Sequence, residues 1–192
     1  MNKPLPSDAK KIELCTKRLR LRQWRVSDRA PFAVLNADPS VMQYYPNPLD
    51  VQASDAFADR CKSLIDQRGW GFWAVELLDG QDFIGFVGLN IPNYELAFAP
   101  CIEIGWRLAR SYWGKGYASE AAEAALRAGF ELLNFTEIVS FTTMTNLKSR
   151  AVMEKIHMRP AGVFEHPLVP AGHPLRPHCL YRITKQQWSD QR

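Results

Sequence analysis

The residues with the most chemical content lie in one run, Glu103-Ile104-Gly105-Trp106-Arg107-Leu108-Ala109-Arg110-Ser111-Tyr112-Trp113-Gly114-Lys115-Gly116-Tyr117-Ala118. Its first half reads as a strand. Its second half is a glycine turn opening directly into an alanine-rich helix. At such a helix start, successive backbone N–H groups lack intrahelical partners and point at one spot beside the positive end of the dipole, which suits a phosphate. Two phosphate chemistries are disfavoured by what is missing. The Ser or Thr that holds magnesium in a nucleotide-hydrolysing loop is replaced by Gly116, and the third glycine of a dinucleotide fingerprint is replaced by Ser119.

The elements that must position this run follow from periodicity and punctuation. Thr16 to Trp24 alternates Leu19 and Leu21 with Arg18, Arg20 and Arg22, the pattern of a strand with one wet face. Ser27 is placed to cap a short helix ending near Asp38-Pro39, and Asp50 to cap a second helix closed by Gly69. Trp70 to Leu78 and Asp82 to Ile91 form an antiparallel pair around the Asp79-Gly80 turn. Cys101 to Leu108 is a strand, and the helix after the glycine turn buries Ala118, Ala121, Ala122, Ala125, Leu126 and Leu133. Ile138 to Thr142 is another strand, Asn146 caps a helix running to about His157, and a proline-dense loop precedes a last strand around Arg182. The order predicts an α+β fold.

The glycine run resembles the acetyl-CoA loop of the GNAT acetyltransferase superfamily, with Gly116-Tyr117-Ala118 in register and Trp113 where Arg or Gln is usual. Tyr112-Trp113-Gly114-Lys115-Gly116-Tyr117-Ala118, the opening Thr16 to Arg22, Ile84-Gly85-Phe86-Val87-Gly88 and Asn146-Leu147-Lys148-Ser149 are similar to the branch typified by ribosomal-protein N-terminal acetyltransferases. The resemblance implies a mixed, mostly antiparallel, twisted sheet with helices on both faces and a splayed central strand pair. It also implies acetyl-CoA as co-substrate and direct transfer to an amine.

By that resemblance, Trp106 and Leu108 meet the pantetheine arm, Trp113 through Ala118 surround the pyrophosphate, and Arg110 and Lys115 add charge. Glu103 is the first candidate for general base, because burial among Cys101, Ile102 and Ile104 would raise its pKa. The tyrosine that many members use to protonate the departing thiolate is replaced by Met153, leaving Ser149 as the candidate donor and Asn146 as cap and cofactor contact. On the acceptor side, His173 and His178 of the proline-dense loop are alternative bases, and Tyr44, Tyr45 and Trp70 are placed along the same cleft. His166, His173, His178 and Cys179 match no recognised metal spacing, so no metal is expected.

The 192 residues suit a single acetyltransferase domain over 16–192, preceded by a polar leader over 1–15. No apolar run reaches the ~20 residues that span a bilayer, and a cytoplasmic location with reduced cysteines is expected. Of the net charge of +4, residues 1–25 carry eight basic against two acidic groups, or +6, leaving −2 for the remainder. A nucleic-acid partner is therefore disfavoured. The expected acceptor is a protein or peptide N-terminus. An antibiotic or polyamine, a CoA sensor without turnover, and a ribosome-binding module built on Arg18, Arg20 and Arg22 are the alternatives, and a homodimer stays open.

Overall fold

The computed structural model of the protein describes residues 10–191. Eight strands form one sheet: β1 (Leu14–Cys15), β2 (Leu19–Arg22), β3 (Phe72–Leu77), β4 (Phe83–Asn90), β5 (Glu103–Leu108), β6 (Glu137–Thr143), β7 (Arg159–Glu165) and β8 (Pro177–Thr184). Their order is β1-β2-β3-β4-β5-β6-β8-β7, antiparallel everywhere except between β5 and β6.

That exception positions the site. Strand β5 pairs with β4 along its whole length, from Glu103 opposite Asn90 to Leu108 opposite Gly85. With β6 it shares a single register pair, Glu103 with Val139, after which the strands part. The Val139 amide donates to the Ile102 carbonyl and the Ser140 hydroxyl to the Ile104 carbonyl, so even-numbered β5 residues turn their backbone groups toward β6. Residue 106 continues that edge beyond the point of divergence, leaving its amide and carbonyl facing the gap.

Helices α1 (Arg29–Ala37), α2 (Pro39–Met42) and α3 (Val51–Arg68) precede β3, while α4 (Tyr117–Arg127), α5 (Leu147–Lys155) and α6 (Lys185–Ser189) come later. Phe32 of α1 and Phe57 of α3 pack on Phe72 and Phe86, which occupy one face of the sheet. On the other face, Ala121, Ala122, Ala125 and Leu126 of α4 are fully buried. Small side chains let this helix lie close to the strands. The chain continues from α4 into one π turn, Ala128–Leu132, where a Cβ on Gly129 would sit 2.7 Å from the Ile138 side chain.

Helix boundaries follow local chemistry. The Asp50 carboxylate accepts the Ala53 amide at the start of α3, and Gly69 ends it with φ 81°. Proline ends one helix and begins another: α1 stops at Ala37, and Asp38 caps α2 with Pro39 in its first turn. The expected Ser27 cap is displaced. Val26–Asp28 form a 3-10 turn, and Asp28 is held by the Arg25 amide and the Arg22 guanidinium, so α1 begins at Arg29.

Three further sequence expectations change. The arginine face at β2 is wet only in part: Arg18, just before the strand and paired with Glu120, and Arg20, paired with Glu13, keep exposed side chains, whereas Arg22 is 2% exposed and bonds Asp28 and Glu76. The leader boundary at residue 15 is too late, because Leu14–Cys15 pair with β2 and the Ile12 carbonyl accepts the Trp73 indole N–H at 2.8 Å; residues 1–9 lie outside the described residues. The proline-dense loop contains a strand, β7, that pairs with β8 around an irregularity between Pro160 and Gly162. All four cysteines are free thiols, with Cys61 and Cys179 buried but Cys15 exposed. Among the described residues no helix is long and apolar enough to cross a membrane.

Candidate active site

Beyond Leu108 the chain makes a 3-10 turn and then passes through Gly114 (φ 73°) and Gly116 (φ 80°) into α4. Both angles lie in the left-handed region, where a side chain is strained. The first link in the helix ladder is Glu120 to Gly116 at 3.0 Å, so the amides of Tyr117, Ala118 and Ser119 precede it and point out of the helix end. Arg18 braces the turn from β2: its guanidinium bonds Glu120 at 2.7 Å, donates to the Lys115 carbonyl at 2.9 Å and lies 4.4 Å above the Tyr117 ring.

These amides border a cleft of about 590 Å³. Trp106, Leu108, Trp113, Gly114, Gly116, Tyr117, Ala118, Asn146 and Ser149, all expected from sequence, line it. Arg110 and Lys115 do not. The Arg110 guanidinium donates to Ser40 at 2.9 Å, and the Lys115 ammonium lies over the Tyr112 ring. Charge comes instead from Lys148 and Lys155, which sequence reasoning missed. The seven-residue spacing of these lysines brings both to one helix face, a signal readable once that face is known to meet the cleft. Lys148 lies 4.3 Å over the Trp113 ring, whose indole N–H is fixed by the Leu108 carbonyl. A Cβ on Gly116 would stand 3.5 Å from Arg18 and 4.0 Å from the Lys155 ammonium. Bare amides, two lysines and an open β5 edge fit the pyrophosphate and the amide-bearing arm of coenzyme A.

A second cavity of about 270 Å³ shares Tyr44, Tyr45, Trp106, Asn146 and Ser149 with the cleft. Glu103 lies on its wall, and burial pushes its carboxyl up to about 7, partly opposed by Asn90 at 3.4 Å. At the shared wall the Asn146 side chain has two duties. Its oxygen accepts the Ser149 amide at 3.2 Å, capping α5, while its NH₂ donates to the Ser149 hydroxyl oxygen at 3.0 Å and to Thr142 at 2.9 Å. An oxygen that already accepts from Asn146 keeps its own O–H to donate.

His178 also lines the second cavity, joined by His166 and Tyr94. The His178 Nδ1 lies 3.0 Å from the Arg176 carbonyl, which can only accept, so Nδ1 carries the proton and Nε2 is bare. His166 Nδ1 accepts the Leu168 amide at 3.3 Å, and its Nε2 faces the Tyr94 hydroxyl at 3.3 Å. Burial, with His178 nearby, lowers the His166 pKa to about 4, and burial lowers that of His178.

Two expected acceptor-side residues are elsewhere. Trp70 is a core residue, its ring edge-on to Phe135 at 5.2 Å, and it borders neither cavity. His173 accepts the Leu175 amide at 3.1 Å and organises the turn before β8, also outside both cavities. Among the described residues no group of three His, Cys, Asp or Glu could hold a metal ion.

An antiparallel sheet that splays beside a glycine-opened helix defines a coenzyme A-binding acyltransferase, and residues 18–159 match the acetyltransferase (GNAT) domain family, to which the chain belongs. It is an acetyl-CoA-dependent acetyltransferase. The chain is 31% identical over 179 residues to the uncharacterized N-acetyltransferase YnaD of Bacillus subtilis (strain 168), covering 93% of this chain and 100% of that one. A GNAT-family acetyltransferase structure from Bacillus anthracis superposes with a TM-score of 0.76 at 26% identity, over 91% of this chain and 99% of that one. RimL, a ribosomal L7/L12 alpha-N-protein acetyltransferase solved with coenzyme A, shares the fold with a TM-score of 0.73 at 16% identity, over 92% and 99%.

Proposed function

We propose that the enzyme acetylates the α-amine of a peptide or protein N-terminus, with coenzyme A in the cleft and the amine in the second cavity. Acetyl-CoA supplies an acetyl group activated as a thioester. Lys148, Lys155 and the amides of Tyr117 to Ser119 hold its phosphates, while the residue-106 edge of β5 aligns its arm. Glu103 takes a proton from the incoming ammonium, and the free amine forms the new N–C bond as the C–S bond breaks. Ser149 gives its proton to the departing sulfur and regains one from the new amide nitrogen, which sheds its extra proton as the amide forms. The observation carrying this reading is the shared wall: Ser149 and Asn146 border both cavities, and Glu103 is the carboxylate lining the second among the described residues.

Proton affinity favours an α-amine over a lysine-like amine. An α-ammonium titrates near ~7.7–8.0, about one unit above Glu103, so deprotonation costs roughly 1.4 kcal/mol; a lysine ammonium near ~10.4 would cost more than three times that. A polycationic acceptor would need several carboxylates, and the available ones are engaged elsewhere. Asp55 and Asp59 face Arg29, Asp66 pairs with Lys11 and Lys62, and Glu76 bonds Arg22 and Arg25. Ribosome attachment through Arg18, Arg20 and Arg22 has lost its free basic stripe to the ion pairs described above. The test is acetyl-CoA binding by calorimetry together with thiol release across peptides and small amines. Transfer to peptide α-amines supports the reading, and binding without any transfer would leave a CoA-binding protein instead.

A further inference from the structure

The second cavity has an unusual polar inventory for a site that admits an ammonium ion. Apart from Glu103, its lining carries no charged side chain among the described residues: much of the wall is aromatic or apolar, including Tyr44, Tyr45, Trp106 and Phe141, while Ser140 donates to the Ile104 carbonyl and Thr142, Asn146 and Ser149 are bonded to one another. The two imidazoles pack with ring centroids 4.6 Å apart, and His178 lies edge-on to Phe141 and tilted against Phe164, so they extend the aromatic wall. Burial holds both neutral around pH 7. No Lys or Arg lines this cavity among the described residues. A carboxylate on the acceptor would therefore be desolvated without a cation to pair it, and a second ammonium without a carboxylate once Glu103 is engaged. The unprotonated Nε2 of His178 adds a hydrogen-bond acceptor to this wall. It can receive a neutral N–H, such as the first peptide amide of a chain.

We infer that the second cavity selects an N-terminal residue with an uncharged aromatic or large apolar side chain, followed by an amide. The inference rests on the proposed entry of the amine beside Glu103 and adds what that amine is attached to. The cavity of about 270 Å³ has room for one large side chain and its backbone amide, but not for an extended charged arm with its hydration shell. Specificity is then exclusion as much as attraction: charged first residues lose hydration that nothing in the wall replaces.

The experiment uses the full-length enzyme and tetrapeptide amides that differ only in their first residue, Phe, Leu, Glu or Lys, with spermidine as a polycation. Acetyl-CoA binding is measured first by calorimetry, and thiol release then gives kcat/KM for each acceptor. Phe- and Leu-headed peptides should exceed Glu- and Lys-headed peptides and spermidine by about tenfold or more. Equal rates across the panel, or a preference for Lys or spermidine, would overturn the inference while leaving the acetyltransferase reading intact. Binding without release from any acceptor would overturn both. Leu168→Asp is a second arm, because Leu168 lines this cavity yet is 64% exposed, so a carboxylate there does not open the core. Acetyl-CoA affinity should stay unchanged in that variant. The ratio of Lys-headed to Phe-headed turnover should rise about tenfold or more, and an unchanged ratio would count against the cavity as the selector.

Discussion

At Glu103 one physical cause gives two measurable effects. Burial holds the carboxyl near 7, so the base form is lost as pH falls below that value, and kcat/KM should rise with pH through about 7. Glu103→Gln should lower kcat/KM by roughly 10²-fold or more and abolish this limb in a pH-rate profile. The same shift acts on folding. Because the folded-state pKa of about 7 lies above the unfolded value of ~4.3, the wild-type protein loses stability as pH rises from about 4.3 to 7, where the unfolded chain's carboxyl ionises while the folded one still holds its proton. Thermal melts should show Glu103→Gln gaining on the wild type across that interval and staying level above it. Ser149 predicts a different pattern. Its hydroxyl is held by Asn146 with the proton free, so Ser149→Ala should slow transfer by roughly 10²-fold with acetyl-CoA affinity unchanged by calorimetry. Sequence nominated both residues, Glu103 for its place in an apolar strand and Ser149 through the family resemblance, and both line the second cavity. Trp70 and His173, nominated on weaker grounds, lie outside both cavities: Trp70 packs on Phe135, far along the chain, and His173 accepts the Leu175 amide two residues on.

The decisive element is the turn between β5 and α4. Its conformation depends on two positive φ angles and on Arg18, which reaches across from β2 to Glu120 and the Lys115 carbonyl. Gly116→Val places a β-branched side chain at φ 80° and 3.5 Å from Arg18, a strain on the order of 1–3 kcal/mol. Acetyl-CoA affinity should fall by roughly tenfold or more in a titration, while circular dichroism still reports a folded sheet. The glycine spacing announced this turn. The lysines that charge it did not announce themselves, because Lys148 and Lys155 belong to α5, which meets the turn only after the sheet has brought β6 beside β5. For the same reason Arg110 and Lys115, neighbours of the glycines in sequence, point elsewhere.

At the scale of the molecule, polar interactions inside the fold tie the first strand to the rest. Arg22 is buried with Asp28 and Glu76, and removing the guanidinium leaves Asp28 with the Arg25 amide and no cation, and Glu76 with the half-exposed Arg25 alone, both carboxylates in low dielectric. Arg22→Ala should cost about 3–5 kcal/mol, seen as a fall in Tm on the order of 10 °C. This differs from the solvated arginine face that alternation suggested, since periodicity reports which residues share a face but not what covers it. The element order, the helix caps at Asp50 and Asn146, the glycine turn that opens α4 and the carboxylate among apolar neighbours in β5 were all determined by the sequence itself, because each depends on residues within a few positions of one another. Strand β7 escaped that reading, as prolines and Gly162 disguise a strand whose pairing with β8 is long-range. Only the tertiary structure decided that β5 and β6 separate, that Ser149 stands between the two cavities, and that histidines and aromatic rings line the second one. Those features are contacts between segments tens of residues apart, and packing fixes them where local sequence chemistry has no hold.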